Sequence, residues 1–246
     1  MERKVIFGFI ISLITITLLS VLFADNLKSE LNDGAKFVVT FTVVSIFIFG
    51  QWVVFYFRDW VIDAPKRNEF IRRARQMNTL VDRFRLGQLY KYCSKTTGEI
   101  WECGVYKGGT ANALSIFGRT LRLFDTFEGM PETCEHDNFH KRGDFKVTEI
   151  PKIKDAIFYI GKIPRTFEGL GKCKIGFAHV DVDIYESTLA CCKFIVPRLV
   201  PGGVIIFDDY GFKTCKGAKK AIDEYFGDRI QRLWTRQAIY VNKGAQ

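Results

Sequence analysis

Two apolar runs of this chain end in acids. Lys174-Ile-Gly-Phe-Ala-His-Val leads into Asp181 and Asp183, and Gly203-Val-Ile-Ile-Phe leads into Asp208 and Asp209. An amphipathic stretch of helix length separates them, so the spacing predicts two parallel strands joined by a right-handed crossover. Ligands of such sheets bind beyond the carboxyl ends of the strands. Carboxylates that meet there repel one another unless a cation or a shared proton neutralises them. An all-oxygen donor set of this kind suits a hard divalent cation, Mg²⁺ or a relative.

A second chemical signal lies upstream. The segment Glu99–Cys103 runs into Gly104-Val-Tyr-Lys-Gly108-Gly109, and a helix is expected from Thr110 to Phe117. A glycine turn between strand and helix brings backbone N–H groups to a ligand. Asp125 ends the next strand, where an acid commonly binds ribose hydroxyls. The pattern Glu102-x-Gly104-x-x-x-Gly108-Gly109 departs from G-x-G-x-x-G, which argues against a pyrophosphate cofactor such as NAD. S-adenosylmethionine suits it better, with its ribose toward Asp125 and its amino-acid end against the glycine turn. A metal site and a nucleoside site on one sheet edge together suggest methyl transfer to a hydroxyl.

The elements that must hold these residues alternate along the chain. Strands are expected at Glu99–Cys103, 120–124, Ala156–Ile160, Ile175–Val180 and 204–207, a helix over Lys216–Phe226, and a closing strand pair at 230–234 and Ala238–Val241. Residues 68–92 carry helical periodicity ahead of the sheet, as a lid over the ligand edge or as a cover for the sheet. A long polar segment, 126–147, interrupts the alternation. The expected fold is α/β, a Rossmann-like doubly wound sheet with helices on both faces. Of the three histidines, His136 and His140 lie in the polar segment, where loops reach over the ligand edge. His140 is the favoured general base, against the alternative of a surface position. His179 shares a strand face with Asp181 and reads as a buried, hydrogen-bonded core residue.

The 246 residues also hold two uncharged apolar stretches, 5–24 and 37–57. Each is long enough to cross a bilayer as a helix. Residues before the end of the first lack a small-residue cleavage pattern, so a membrane hairpin is expected rather than a signal peptide. Arg58, Lys66, Arg67, Arg72, Arg73 and Arg75 follow the second stretch, which places the N-terminus and the large C-terminal part on the cytoplasmic side. These residues supply much of the net charge of +9, and anionic lipid accounts for them without nucleic acid. The seven cysteines lack C-x-x-C or zinc-finger spacing and fit free thiols in a reducing compartment. The resulting organisation is a membrane hairpin over 1–62, a helical lead over 63–95 and a catalytic domain over 96–246.

Four motifs in order resemble the macrocin O-methyltransferase family. They are Glu99-Ile-Trp-Glu102-Cys-Gly104-Val-Tyr-Lys-Gly108-Gly109, Asp125-Thr-Phe-Glu128-Gly129-Met-Pro131, Asp181-Val-Asp183-Ile-Tyr185-Glu186-Ser187-Thr188, and Pro201-Gly202-Gly203 with Asp208-Asp209-Tyr210. The resemblance covers about residues 70–240. It implies a metal-dependent, S-adenosylmethionine-using enzyme of the kind that often methylates sugar hydroxyls of antibiotics and other glycoconjugates. It also implies metal ligands at Asp181, Asp208 and Asp209, with Asp181 catalytic, and cofactor contacts at Glu102, Gly104, Gly108, Gly109, Asp125 and Glu128. Asp183 is either a further ligand or a support for a neighbouring side chain. The membrane hairpin departs from the soluble antibiotic enzymes and directs attention to lipid-linked or surface-glycan acceptors. Rival readings are a phenolic or catechol-like acceptor, a nicotinamide-dependent oxidoreductase, and a non-catalytic membrane adaptor.

Overall fold

The computed structural model describes residues 32, 34–35, 38, 41–50 and 63–244. The chain divides into two units, Met1–Ala64 and Pro65–Gln246. In the first, residues 41–50 are helical, and Phe41, Val43, Ile46 and Phe49 are exposed. The expected span over 5–24 lies outside the described residues, as does about half of the one over 37–57. Among the described residues no helix is long and apolar enough to cross a membrane.

The second unit is a seven-stranded sheet. Its strands are β1 (Glu99–Cys103), β2 (Leu121–Asp125), β3 (Ala156–Ile160), β4 (Ile175–Val180), β5 (Leu199–Phe207), β6 (Gln231–Arg232) and β7 (Ala238–Val241), in the order β3-β2-β1-β4-β5-β7-β6. The first five are parallel and β7 runs antiparallel to β5. The order reverses between β1 and β4, and a crevice opens beyond the strand ends at such a point. Five helices accompany the sheet: α1 (Ala64–Gln76), α2 (Arg83–Cys93), α3 (Gly109–Leu114), α4 (Tyr185–Ile195) and α5 (Lys216–Phe226).

Neighbouring side chains along the strands serve opposite faces, as the pleat requires. Ile100, Val204 and Ile206 join a core with Phe70, Leu86 and Leu89 from α1 and α2. Trp101, Ile205 and Phe207 join the other, with Cys191, Ile195 and Ile222 from α4 and α5. Burial on both faces explains why these strands read as continuous apolar runs. The expected helices on both faces are therefore present, and the residues of 63–95 form α1 and α2.

Two expectations need correction. The strand expected over 230–234 shrinks to Gln231–Arg232, because Leu233 N–H donates to Gln237 O (2.8 Å) and Arg236 N–H to Leu233 O (3.2 Å), closing a tight turn. In β5 the strand begins at Leu199, five residues before the expected start at 204. Asn242 lies beside that early part, its side-chain amide donating to Leu199 O at 2.7 Å.

Candidate active site

A cavity of about 370 Å³ opens at the carboxyl ends of the parallel strands, and its lining includes Glu102, Gly104, Asp125, His140, Asp181 and Asp208. Asp183, Asp209, Gly109 and Cys215 also face it. The glycine turn, the strand-end acids and the polar-segment histidine therefore meet in one place. Gly108 caps α3 in a left-handed conformation (φ 80°) just behind the lining. Glu128 stands apart: its side chain is exposed and pairs with Lys146 at 2.7 Å.

The cofactor half is built by backbone. Gly104 has φ +87°, and a Cβ there would sit 1.8 Å from Asp181 O, so no other residue lets β1 leave the sheet beside β4. Asp125 fastens the turn that follows. Its Oδ2 accepts from Val105 N–H (2.6 Å) and Tyr106 N–H (2.9 Å), and its Oδ1 accepts from Phe127 N–H (2.7 Å). Oδ1, with one donor, keeps a lone pair with which to accept a further hydroxyl. Glu102 is fully buried, and its Oε1 lies 3.1 Å from His179 Nδ1. The two residues are register partners on β1 and β4, which explains the contact and confirms His179 as a buried core residue. Glu102 Oε2 has no hydrogen-bond partner. A glycine cradle beside an unpartnered buried carboxylate oxygen fits the ammonium-bearing end of S-adenosylmethionine.

The metal half is crowded with negative charge. Oxygens of Asp181, Asp208 and Asp209 lie within 4.8 Å of one another. Burial and then repulsion from Asp208 and Asp209 push the Asp181 carboxyl well above the usual carboxylate range. Burial and then Asp183 and Asp208 do the same for Asp209. Asp208 differs. Burial pushes it up, but His179, Arg85 and Gln237 outweigh this and hold it below the ordinary value. Gln237 Nε2 donates to Asp208 Oδ1 at 2.8 Å, and Arg85 pairs with Asp208 Oδ2. His179 Nε2 stands 3.7 Å from Asp208 Oδ1, an ion-pair separation rather than a hydrogen bond. Burial lowers the His179 pKa, yet Asp208 and Glu102 overcome it and push it up to about 10. Two cations face four clustered aspartates, so the donor set fits a hard divalent ion.

The polar segment 126–147 brings His140 to the cavity. Met130 N–H donates to Asp144 O (2.7 Å) and Gly143 N–H to Met130 O (2.9 Å), so the segment closes on itself. Asp137 then docks it: Tyr185 N–H, at the start of α4, donates to Asp137 Oδ1 at 3.0 Å. Gly217 of α5 leaves the room, since a Cβ there would meet Asp137 Oδ1 at 1.9 Å. His140 is buried, with Nε2 3.7 Å from Asp183 Oδ1. Burial lowers its pKa against the pull of Asp144 and Asp137, favouring the neutral imidazole. Asp183 takes a left-handed conformation (φ 58°), and its N–H donates to Asp209 Oδ2 at 2.9 Å. Burial and then Asp181 push its carboxyl up to about 7. His136 lies elsewhere, against Lys220 at 2.9 Å.

Four residues of the site carry no signal in the sequence. Arg85 sits on α2, where charges are expected to face solvent, yet it also donates to Leu80 O (2.9 Å) and lies 5.0 Å over the Phe212 ring. Gln237 occupies a hairpin, Cys215 a loop, and Asp137 caps a helix 48 residues away. Their roles depend on segments that meet only in three dimensions.

The profile of the Macrocin-O-methyltransferase (TylF) family matches residues 11–232. The chain belongs to this family. Its members are S-adenosylmethionine-dependent O-methyltransferases. Among relatives, the 8-demethyl-8-(2,3-dimethoxy-alpha-L-rhamnosyl)-tetracenomycin-C 4'-O-methyltransferase of Streptomyces olivaceus is 28% identical over 172 residues, covering 57% of this chain and 66% of that protein. The mycinamicin III 3''-O-methyltransferase of Micromonospora griseorubida is 23% identical over 60% of this chain and 69% of its own length. The chain thus spans about two thirds of the curated relatives it matches. Among solved structures, the O-methyltransferase NovP superposes with a TM-score of 0.57 at 20% identity, covering 68% of this chain and 82% of that one. The calicheamicin methyltransferase CalS11 gives 0.54 at 20% identity, over 72% and 93%. At that identity the two structures establish the family's fold for this chain and nothing finer.

Proposed function

We propose that this chain is a membrane-anchored, Mg²⁺-dependent O-methyltransferase that moves the methyl group of S-adenosylmethionine to a hydroxyl of a sugar or glycoconjugate. The observation that carries this reading is the single cavity in which the glycine turn and Asp125 face the Asp181, Asp208 and Asp209 carboxylates. The relative whose name places its methylation on a rhamnosyl-bearing tetracenomycin supports the acceptor class.

In this reading Glu102 and the turn from Gly104 to Gly109 hold the amino-acid end of the cofactor, and Asp125 holds the ribose. Asp181, Asp208 and Asp209 would hold a divalent cation, which would supply Lewis-acid chemistry to the acceptor hydroxyl. His140 and Asp183 form the proton acceptor. Burial lowers the His140 pKa and favours the neutral imidazole, which accepts the hydroxyl proton as the oxygen attacks, with Asp183 Oδ1 3.7 Å from Nε2 to face the imidazolium that forms. Bound S-adenosylmethionine would supply the methyl group, the new carbon–oxygen bond forming as the carbon–sulfur bond breaks. Phe139, Phe145 and Phe212 line the cavity as well, offering apolar faces to the acceptor and excluding water. Holding the reactants in line is the remaining contribution.

Anchoring through residues 1–62 is supported by the two uncharged stretches, by the basic residues that follow them, and by the outward apolar side chains of the helical residues 41–50. It puts the catalytic domain, residues 96–246, on the cytoplasmic side, next to lipid-linked acceptors.

The decisive experiment is calorimetry with S-adenosylmethionine followed by a labelled-methyl screen of glycan and lipid extracts, with and without Mg²⁺. Binding of the cofactor and Mg²⁺-dependent labelling of a glycan-bearing fraction are expected. A folded sample that binds no cofactor rules the function out, and equal labelling in chelator rules out the metal. Full-length protein recovered from the wash rather than the membrane pellet rules out the anchor.

A further inference from the structure

A second potential ligand set lies beside the aspartate trio. His140 Nε2, Asp183 Oδ1 and Cys215 Sγ converge, with Sγ 3.3 Å from Oδ1, Sγ 3.6 Å from Nε2, and Nε2 3.7 Å from Oδ1. Tetrahedral zinc holds sulfur at about 2.3 Å, nitrogen at about 2.0–2.1 Å and oxygen at about 2.0–2.2 Å, which sets the ligand atoms roughly 3.3–3.6 Å apart. The three separations already approach that triangle. The chemistry differs from that of the trio: one thiol, one imidazole and one carboxylate select a borderline-soft ion, whereas three carboxylates suit Mg²⁺.

Each ligand is held from outside the triangle. Asp137 docks the segment that carries His140. The Asp183 N–H is tied to Asp209 Oδ2, and Cys215 N–H donates to Phe212 O at 3.2 Å. His140 and Cys215 are buried, and all three residues line the cavity. The fourth tetrahedral position is therefore open to whatever fills the cavity, as in zinc sites with three protein ligands.

We propose that His140, Asp183 and Cys215 form a zinc site distinct from the Mg²⁺ site, and that zinc bound there inhibits methyl transfer. Binding displaces the thiol proton of Cys215 to solvent and takes up the Nε2 lone pair of His140 together with an Asp183 oxygen. Those are the atoms that accept the acceptor's proton, so the inhibitory half rests on the function proposed above. The binding half does not.

Co²⁺ replaces zinc as a visible probe. Full-length protein in detergent, with excess Mg²⁺ filling the oxygen site, is titrated with Co²⁺. One equivalent is expected to bind with a thiolate-to-cobalt charge-transfer band and tetrahedral absorption, both erased by zinc. Cys215→Ser is expected to lose the charge-transfer band and to bind at least tenfold more weakly. His140→Gln, tested for binding only, is expected to weaken the ion to a similar degree. In methyl-transfer assays, the zinc concentration for half-inhibition should rise at least tenfold in Cys215→Ser, each protein being compared with its own zinc-free rate. Co²⁺ binding without a thiolate band in the wild-type protein overturns the site, as does displacement by Mg²⁺. Equal zinc sensitivity in Cys215→Ser overturns the inhibition. If no methyl transfer is detected at all, the cobalt spectrum still decides the site, so the two readings fail separately.

Discussion

The two halves of the cavity treat carboxylates in opposite ways. On the cofactor side, Asp125 accepts three backbone N–H groups at 2.6–2.9 Å and is nearly satisfied by the protein itself. On the metal side, Asp181 and Asp209 are pushed up by burial and by one another, and only Asp208 has a matched set of partners in Arg85 and Gln237. A satisfied carboxylate is a fixed acceptor for a neutral hydroxyl. An unsatisfied cluster is a standing demand for positive charge. In the proposed function, this difference lets one sheet edge take a nucleoside at one end and a cation at the other.

Removing a carboxylate from the metal half is expected to have the largest effect. Asp181→Asn should lower methyl transfer by about 10²- to 10³-fold, the range for losing one preorganised electrostatic contact, while cofactor affinity by calorimetry stays within a few-fold. A parallel loss of cofactor binding would mean that the two halves are not independent. The same crowding makes an opposite prediction for stability. In chelator, Asp209→Asn relieves repulsion and keeps an acceptor for the Asp183 N–H, so the melting temperature should rise by about 2–4 °C, as for roughly 1 kcal/mol. A fall would show that the cluster is already neutralised by shared protons.

On the cofactor half, Asp125→Ala strips the acceptor from three N–H groups. Leaving them unsatisfied costs about 1–3 kcal/mol each where buried, and S-adenosylmethionine affinity should fall about tenfold to a hundredfold with Mg²⁺ affinity unchanged. Next in size is Gly217→Ala, which forces Asp137 away from the start of α4. His140 then loses its support, and the rate should fall about tenfold at saturating cofactor, part of the roughly 10²- to 10⁴-fold that a well-placed general base contributes. An unchanged rate would remove His140 from the mechanism.

A pH dependence of stability tests the buried histidine behind the metal half. The folded His179 pKa of about 10 lies above its ordinary value of 6.5. Its contribution is fully present below about pH 6.5 and is lost as pH rises through 10. Melting curves between those limits should therefore fall with pH, and His179→Gln should flatten the fall. An equally steep curve in the variant would assign the titration to another group.

Much of this architecture was readable because the strands are buried on both faces. Ile175–Val180, His179 apart, and the run ending at Phe207 are apolar, and their acids mark where each strand reaches the cavity. Gly104 was readable because a turn that presses against the backbone of the next strand tolerates no Cβ. The strand is shorter than 230–234 because Leu233 and Trp234, strand formers by type, are bent into a turn by the backbone bond between Leu233 and Gln237. Glu128 shares a motif with Asp125, but its side chain points to solvent and Lys146. A motif carries the backbone path of a loop and not the direction of every side chain on it.

The order of strands and helices along the chain, the glycine turn, and the acids at the ends of β2, β4 and β5 follow from the residues alone, because periodicity and turn chemistry are local. Only the tertiary structure decided which carboxylates are satisfied. Arg85 reaches Asp208 from α2, 123 residues away in the chain, and Gln237 reaches it from the closing hairpin. Asp137 borrows the first N–H of α4 to hold His140 beside Asp183 and Cys215. Charge balance inside a cavity is a sum over neighbours in space, and those neighbours come from segments whose meeting no local pattern encodes.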